Sequence, residues 1–341
     1  APHLPHHSLT RLWDGPANGE PVGAAVTHAG RLRVLRHYLQ RLELTLALVE
    51  RMEVVSRTSE HSRLFGIDFH STLTRGSQYR VESLLLRLAR TQDYALPTPS
   101  KAQVSSQPAL QCIPMILEPQ SRLYQCPVIV LDFRSLYPSM IIAHNLCYTT
   151  AIGPIRALAS VLDPAAARAA YRFGCLELSP RSLCTADEAH ARPDAAVQLH
   201  AALGRLRGGA HASASGTLFA GAGQRPGLLP RLLTEILRTR IMVKRAMKSA
   251  PPGSALYRQL DARQFGLKMI ANVTYGYTSA SFTGRMPCVH LADAIVQAGR
   301  EALEAAARLV EDDPQQRGWR AKVVYGDTDS IFVEVPGRSR A

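Results

Sequence analysis

The chain has 341 residues and a formal net charge of +13, from 40 Lys and Arg against 27 Asp and Glu. That length buries the cores of two or three packed units, and that charge suits a polyanionic partner. No apolar run is long enough to span a membrane, no signal-peptide pattern is seen, and the six cysteines form no C-x-x-C pair; a membrane partner, a zinc site and a disulfide framework are therefore not expected, and a reducing compartment is.

Residues 1–30, rich in Pro, Gly and His, are expected to be loosely ordered, with His3, His6 and His7 in loop rather than on a metal. A long amphipathic helix is expected over 31–56, with Leu35, Leu39, Leu42, Leu46 and Val49 on its inner face. Residues 57–90 read as a turn around Thr74-Arg-Gly-Ser77 followed by a helix, and Pro, Ser and Gln mark 95–112 as a linker. Val128-Ile-Val-Leu-Asp-Phe133 has the pattern of a buried strand that delivers an acid, Asp132, at its end. Such an Asp serves as a metal ligand or as a helix N-cap. Pro138 is tolerated only near a helix start, so a helix is expected to open around Tyr137 or Pro138, and its free N–H groups suit a triphosphate.

Residues 151–222, rich in Ala, Arg and Gly, read as a variable insertion with partial helix, and 210–216 as a flexible loop. The next segment, 227–244, is an amphipathic helix: Leu229, Leu232, Leu233, Ile236 and Leu237 form a core face, and Arg238, Arg240, Lys244 and Lys248 a basic one. After a break at 249–253, a second helix is expected to stop at Gly276. On it Lys268, Asn272 and Tyr275 fall at i, i+4 and i+7, one stripe of a cation, an amide and an aromatic that suits a nucleotide; a solvated polar stripe is the alternative. An Ala-rich helix at 290–312 is expected to pack under a sheet. Last, Lys322–Val335 reads as a β-hairpin with Asp327 and Asp329 at its tip, sharing a face if the tip stays extended. Clustered carboxylates repel and favour a hard cation such as Mg²⁺, and a pair of such ions is the usual machinery for displacement at phosphorus. A solvated Asp-rich turn is the alternative.

Asp132-Phe-Arg-Ser-Leu-Tyr-Pro-Ser139, Lys268-x-x-x-Asn-x-x-Tyr-Gly276 and Tyr325-Gly-Asp-Thr-Asp-Ser330, in this order, resemble motifs A, B and C of the family B DNA-dependent DNA polymerases. Arg57-Thr-Ser-Glu60, Leu73–Ser83, Phe173-Gly-Cys175 and Asn272–Cys288 resemble the zeta branch of that family, its translesion branch. The resemblance covers roughly residues 30–335, poorly at 155–215. It implies an α/β (α+β) fold: a right-hand polymerase palm with an antiparallel sheet and a carboxylate hairpin, two-helix fingers, and the remnant of an exonuclease-like domain. The implied divisions are 31–94 for the end of the exonuclease-like domain, 95–112 for a linker, 113–226 for the first part of the palm, 227–285 for the fingers and 286–341 for the rest of the palm. Family members continue beyond motif C into a thumb, and the zeta branch into cysteine clusters, one of which holds an iron–sulfur centre and binds accessory subunits; none of these is expected in this sequence.

The resemblance also implies roles. Asp132 and Asp329 match the two metal-bridging acids, Asp327 the further carboxylate near the primer end, and the backbone of Phe133 a further ligand, for two Mg²⁺ ions. The backbone at Phe133, Ser135 and Leu136 is expected to hold the triphosphate, with Arg240, Lys244 and Lys268 as its cations and Asn272 on the same face. Tyr137 matches the steric gate against a ribose 2′-hydroxyl, and Leu136 and Tyr275 are expected near the nascent base pair. The implied activity is template-directed addition of dNTPs to a DNA primer in translesion synthesis, with accessory subunits as partners and the nucleus as location. Proofreading members carry a Tyr-x-x-x-Asp motif, and Tyr38-Leu-Gln-Arg-Leu42 has Leu in place of the Asp, so no proofreading is expected. A catalytically incompetent fragment or scaffold and a simple basic nucleic-acid-binding module are the rival readings; retention of Asp132, Asp327, Asp329, Lys268 and Asn272 argues against both.

Overall fold

A computed structural model of the chain describes residues 4–14, 28–154, 209–280, 284–312, 318 and 320–337, and the backbone alone at 171–173 and 176–178. The N-terminal part is helical: α1 (His6–Asp14), α2 (His28–Arg51), α3 (Val54–Phe65), α4 (Phe69–Thr74) and α5 (Ser77–Arg90). Part of the segment expected to be loose is thus α1, which packs on α2; Leu9 of the one and Val34 and His37 of the other are buried. The helix expected over 31–56 is two helices. They part at Met52 and Glu53, where Glu53 takes a left-handed φ of 52°. Gly66 ends α3 at φ 65°, a value that suits glycine. Asp68 then caps α4, accepting from the Ser71 amide at 2.8 Å, and the turn expected at 74–77 leads into α5.

The expected inner face of α2 does not face inward: Leu35, Leu39, Leu42 and Leu46 are each more than half exposed. Periodicity reports that a face is apolar, not that a partner covers it, and among the described residues α1 covers the Val34 and His37 side instead.

The linker contains a short helix, α6 (Lys101–Ser105), closed by a capping box between Ser100 and Gln103. Its far end is tied down by Asp293, whose carboxylate accepts from the amides of Gln111 and Cys112. There follow β1 (Ile116–Leu117), β2 (Val128–Asp132), α7 (Leu136–Ala143), β3 (Ala151–Pro154), β4 (Tyr171–Phe173), β5 (Leu176–Leu178), β6 (Ala210–Ala212) and β7 (Thr217–Ala220). The chain continues with α8 (Leu228–Ser249), α9 (Ala255–Ser279), α10 (Val289–Glu311), β8 (Lys322–Asp327) and β9 (Ser330–Glu334). The main sheet is antiparallel with strand order β1-β8-β9-β2.

Three further expectations change. The loop expected at 210–216 is strand β6 and the turn of a β6–β7 hairpin, whose second strand pairs with β3 and buries Phe219 completely. Most of the rest of the expected insertion, 155–208, lies outside the described residues. Strand β2, expected to be buried, is exposed at every position: it is an edge strand, and among the described residues neither of its faces is covered. Gly276 does not end its helix: α9 runs on to Ser279, since the next residue, Tyr277, is 1% exposed in the core. Burying such a side chain is worth about 1.5–3 kcal/mol, more than the roughly 1 kcal/mol that a mid-helix glycine costs.

The larger core joins α5, α7, α8, α9 and α10 through Leu85, Ile141, Leu229, Leu233, Ile270 and Ile295. A smaller one seats the main sheet on α10 through Leu303, Val323, Ile331 and Val333. A polar seam joins α3 to α9: Glu53–Arg258 at 2.8 Å, Arg57–Asp261 at 3.7 Å and Glu60–Arg263 at 2.6 Å. Only Glu60 is deeply buried there, at 4% exposure, while Arg263 keeps access to water. Glu60→Ala is expected to lower stability by about 2 kcal/mol, the cost of losing hydrogen bonds to a charged group. Urea unfolding of the two proteins checks this, and a difference below about 0.5 kcal/mol would show that the seam holds nothing.

Candidate active site

Strand register brings the acids together. Asp132, the last residue of β2, lies opposite Ser330 of β9, and Ser330 on its other side lies opposite Asp327 of β8. Cross-strand partners point to the same face, so Asp132, Ser330 and Asp327 form a row across three strands spaced about 4.8 Å apart. The tip of the hairpin is folded rather than extended, which corrects the simple alternation argument. Thr328 has φ 55°, and the Asp329 amide donates back to the Asp327 carbonyl at 2.5 Å, closing a three-residue turn. Two bonds brace this turn from outside the hairpin. The Thr328 amide donates to the Met115 carbonyl at 2.9 Å, and the Phe133 amide to the Asp329 carbonyl at 2.8 Å.

Asp329 is thereby held in the field of both other acids. Its carboxyl is pushed above the usual aspartate range, first by burial, then by the charge of Asp132, with Asp327 adding to it. Asp132 and Asp327 themselves are exposed. Among the described residues, no three His, Cys, Asp or Glu side chains gather at metal-ligating spacing, so the acids are electrostatic neighbours without a closed ligand cage.

Tyr137 stands beside them in the first turn of α7. That turn is entered through Ser135 at φ 56° with no side-chain cap. The ring is half-buried between two supports. Tyr275 of α9 lies at a centroid distance of 4.8 Å, and a Cβ at Gly299 of α10 would come within 2.9 Å of Tyr137 Cε1. Burial, then Tyr275, Asp329 and Asp327, push the phenol up to about 12, so it stays protonated. Leu136 is 3% exposed, its side chain packed near Gly299, which leaves only its backbone for a ligand.

On the other side of α7 opens a cleft of about 580 Å³, lined by Arg134, Ser135 and Ser139 and by Leu237, Arg240, Ile241, Lys244, Arg245 and Lys248 of α8. The Nε of Arg240 is enclosed there without a hydrogen-bond partner. The structure therefore gathers Ser135, Arg240 and Lys244 at one cleft, and sets Tyr137 near the acids with Tyr275 packed against its ring. Lys268 and Asn272 are exposed on α9 and do not line the cleft. Arg134, Ser139 and Arg245 were not among the expected site residues; the signal for Ser139 was its i+4 spacing from Ser135, and for Arg245 its place beside Lys244.

Residues 67–341 match the sequence pattern of DNA polymerase family B. The chain is 45% identical over 339 residues to the DNA polymerase zeta catalytic subunit of Arabidopsis thaliana, covering 99% of this chain and 16% of that protein. It is 45% identical over 310 residues to the human DNA polymerase zeta catalytic subunit, covering 91% of this chain and 9% of that protein. Against the DNA polymerase delta catalytic subunit of Bos taurus the identity falls to 33%, over 89% of this chain and 23% of that one. The chain thus spans less than a quarter of the length of these relatives. In three dimensions it resembles the family B DNA polymerase of Pyrobaculum calidifontis, with a TM-score of 0.57 and 26% identity over 91% of this chain and 33% of the other. By the family match over most of its length, the chain belongs to DNA polymerase family B.

Proposed function

We propose that this chain carries the nucleotidyl-transfer site of a DNA-directed DNA polymerase of the translesion type. The observation that carries the reading is Asp329, raised in proton affinity by burial and then by Asp132 and Asp327, and adjacent to the half-buried Tyr137. In this reading the β1-β8-β9-β2 sheet with α7 and α10 is the palm, α8 and α9 are the fingers, and 31–94 is the end of an exonuclease-like domain. Leu42, in place of an acid, supports synthesis without proofreading. DNA primer–template and dNTP are the substrates, accessory subunits the partners and the nucleus the location, by likeness to the zeta catalytic subunits.

The donor set fits a hard divalent cation. Clustered carboxylates are relieved by a cation, and Asp132, Asp327, Asp329 and the Phe133 carbonyl supply oxygen donors. Two Mg²⁺ ions held by these groups would lower the proton affinity of the primer hydroxyl and neutralise charge on the triphosphate. The primer 3′-oxygen attacks the α-phosphorus of the dNTP; its bond to phosphorus forms as the α–β bridging bond breaks, and pyrophosphate leaves. The residues' work is to position. Arg240 and Lys244 hold the triphosphate against the first turn of α7, where the backbone of Ser135 and Leu136 is available. Lys268 and Asn272 on α9 approach it from the finger side. The Tyr137 ring, fixed by Gly299 and Tyr275, occupies the space of a ribose 2′-hydroxyl. The rival reading is a nucleic-acid-binding scaffold without chemistry, which the cations of the cleft would equally serve.

Primer extension by this chain with Mg²⁺ separates the two readings. Extension that disappears in Asp329→Asn is the expected result, and a variant as active as the parent would remove Asp329 from the site. The same variant reports the repulsion directly. Because the fold raises the Asp329 proton affinity, the native state loses stability as pH rises from below the ordinary value of 3.8 through the raised one. Asp329→Asn, measured without divalent cations, is therefore expected to be more stable than the parent at pH 7 and equal to it near pH 3. Thermal melting at the two pH values decides this. Tyr137→Ala is expected to admit ribonucleotides; competition between dCTP and CTP checks it, and unchanged sugar selectivity would count against the gate.

A further inference from the structure

The cleft beside α7 holds more positive charge than a triphosphate grip needs. Arg240, Lys244 and Lys248 recur at i, i+4 and i+8 along α8, a single stripe about 12 Å long. Arg245 lies three residues before Lys248, so Lys244, Arg245 and Lys248 are like-charged neighbours, an arrangement that destabilises a bare helix. Arg134 adds a fifth cation from the opposite wall. No Asp or Glu lines the cleft, and among the described residues none of these five cations has an ion-pair partner. The Nε of Arg240 is enclosed without a hydrogen-bond partner, a group that an acceptor in the cleft would satisfy once the side chain turns toward it. The volume of about 580 Å³ suits a small polyanion rather than a groove for a duplex.

We infer that Lys248, one turn of α8 beyond Lys244, and Arg245, next to Lys244 in the chain, form a second anion position that binds inorganic pyrophosphate. The inference rests on the polymerase reading and deepens it. Arg240 and Lys244 hold the triphosphate while it is whole. When the α–β bond breaks, the leaving pyrophosphate exchanges onto Arg245 and Lys248 along an uninterrupted row of donors. The position thereby governs how well the product competes with the next dNTP.

The test is calorimetric titration of the chain in Mg²⁺ with sodium pyrophosphate and, separately, with dCTP. The parent is compared with Arg245→Gln/Lys248→Gln and with Lys244→Ala. Gln keeps the helix propensity, and a melting curve checks the separate contribution of Lys248 to the carbonyl end of α8. The double variant is expected to bind pyrophosphate about ten-fold more weakly, the effect of losing charge-assisted hydrogen bonds, with dCTP affinity within about two-fold of the parent. Lys244→Ala is expected to weaken both ligands. Unchanged pyrophosphate affinity in the double variant overturns the inference. So does a proportionate loss of both ligands, which means one anion site, or a loss of primer–template affinity alone, which places the stripe on DNA. A parent chain that binds neither ligand overturns the polymerase reading itself.

Discussion

Carboxylates fixed at neighbouring positions repel, and much of this fold resists that repulsion. Asp132 and Asp327 come to the same end of the sheet through strand pairing, and Asp329 joins them through a folded turn. Left alone, a hairpin tip of this kind would splay. Two bonds from outside it, to the Met115 carbonyl and from the Phe133 amide, close it into the sheet. Beneath, Ile331 and Val333 are pressed onto Leu303 of α10. The electrostatic cost is thus met by backbone pairing and apolar burial that contain no charge.

Helix α10 is the part common to both halves of the site. Leu291, Ile295, Gly299 and Leu303 recur every four residues along one face. The first two close the larger core under α8 and α9, and the last supports the carboxylate sheet. Between them the row lacks a side chain at Gly299, and the Tyr137 ring occupies that gap. One helix therefore sets the spacing between the acids and the paired rings of Tyr137 and Tyr275. An alanine at Gly299 would meet the ring at 2.9 Å and oblige it to shift.

Local pattern carried some of this and not the rest. The carboxylate hairpin, α8 and α10 were legible because their periods of 2 and 3.6 run through apolar residues that are in fact covered. The exposed leucines of α2 and the exposed strand β2 show the same patterns without a cover among the described residues. The β6–β7 hairpin was hidden by its Ala- and Ser-rich sequence; its partner β3 lies more than 50 residues upstream, and pairing at that distance leaves no local signal. Likewise nothing near Tyr137 announces Gly299. The three acids were readable as residues, whereas the turn that gathers them depends on Thr328 adopting a positive φ that its sequence does not advertise.

The seam between α3 and α9 differs in kind from the rest of the packing. Helix α9 is held to α8 and α10 by apolar side chains, and to α3 both by packing of His61, Leu64 and Phe65 and by the ion pairs Glu53–Arg258, Arg57–Asp261 and Glu60–Arg263. Attraction between partly exposed charges fades as ions screen it, while apolar burial does not. Rising ionic strength therefore weakens the ionic part of the α3–α9 contact before it disturbs the apolar core. Amide exchange in α3 becomes the salt-sensitive reporter of the molecule, and exchange in α10 the insensitive one.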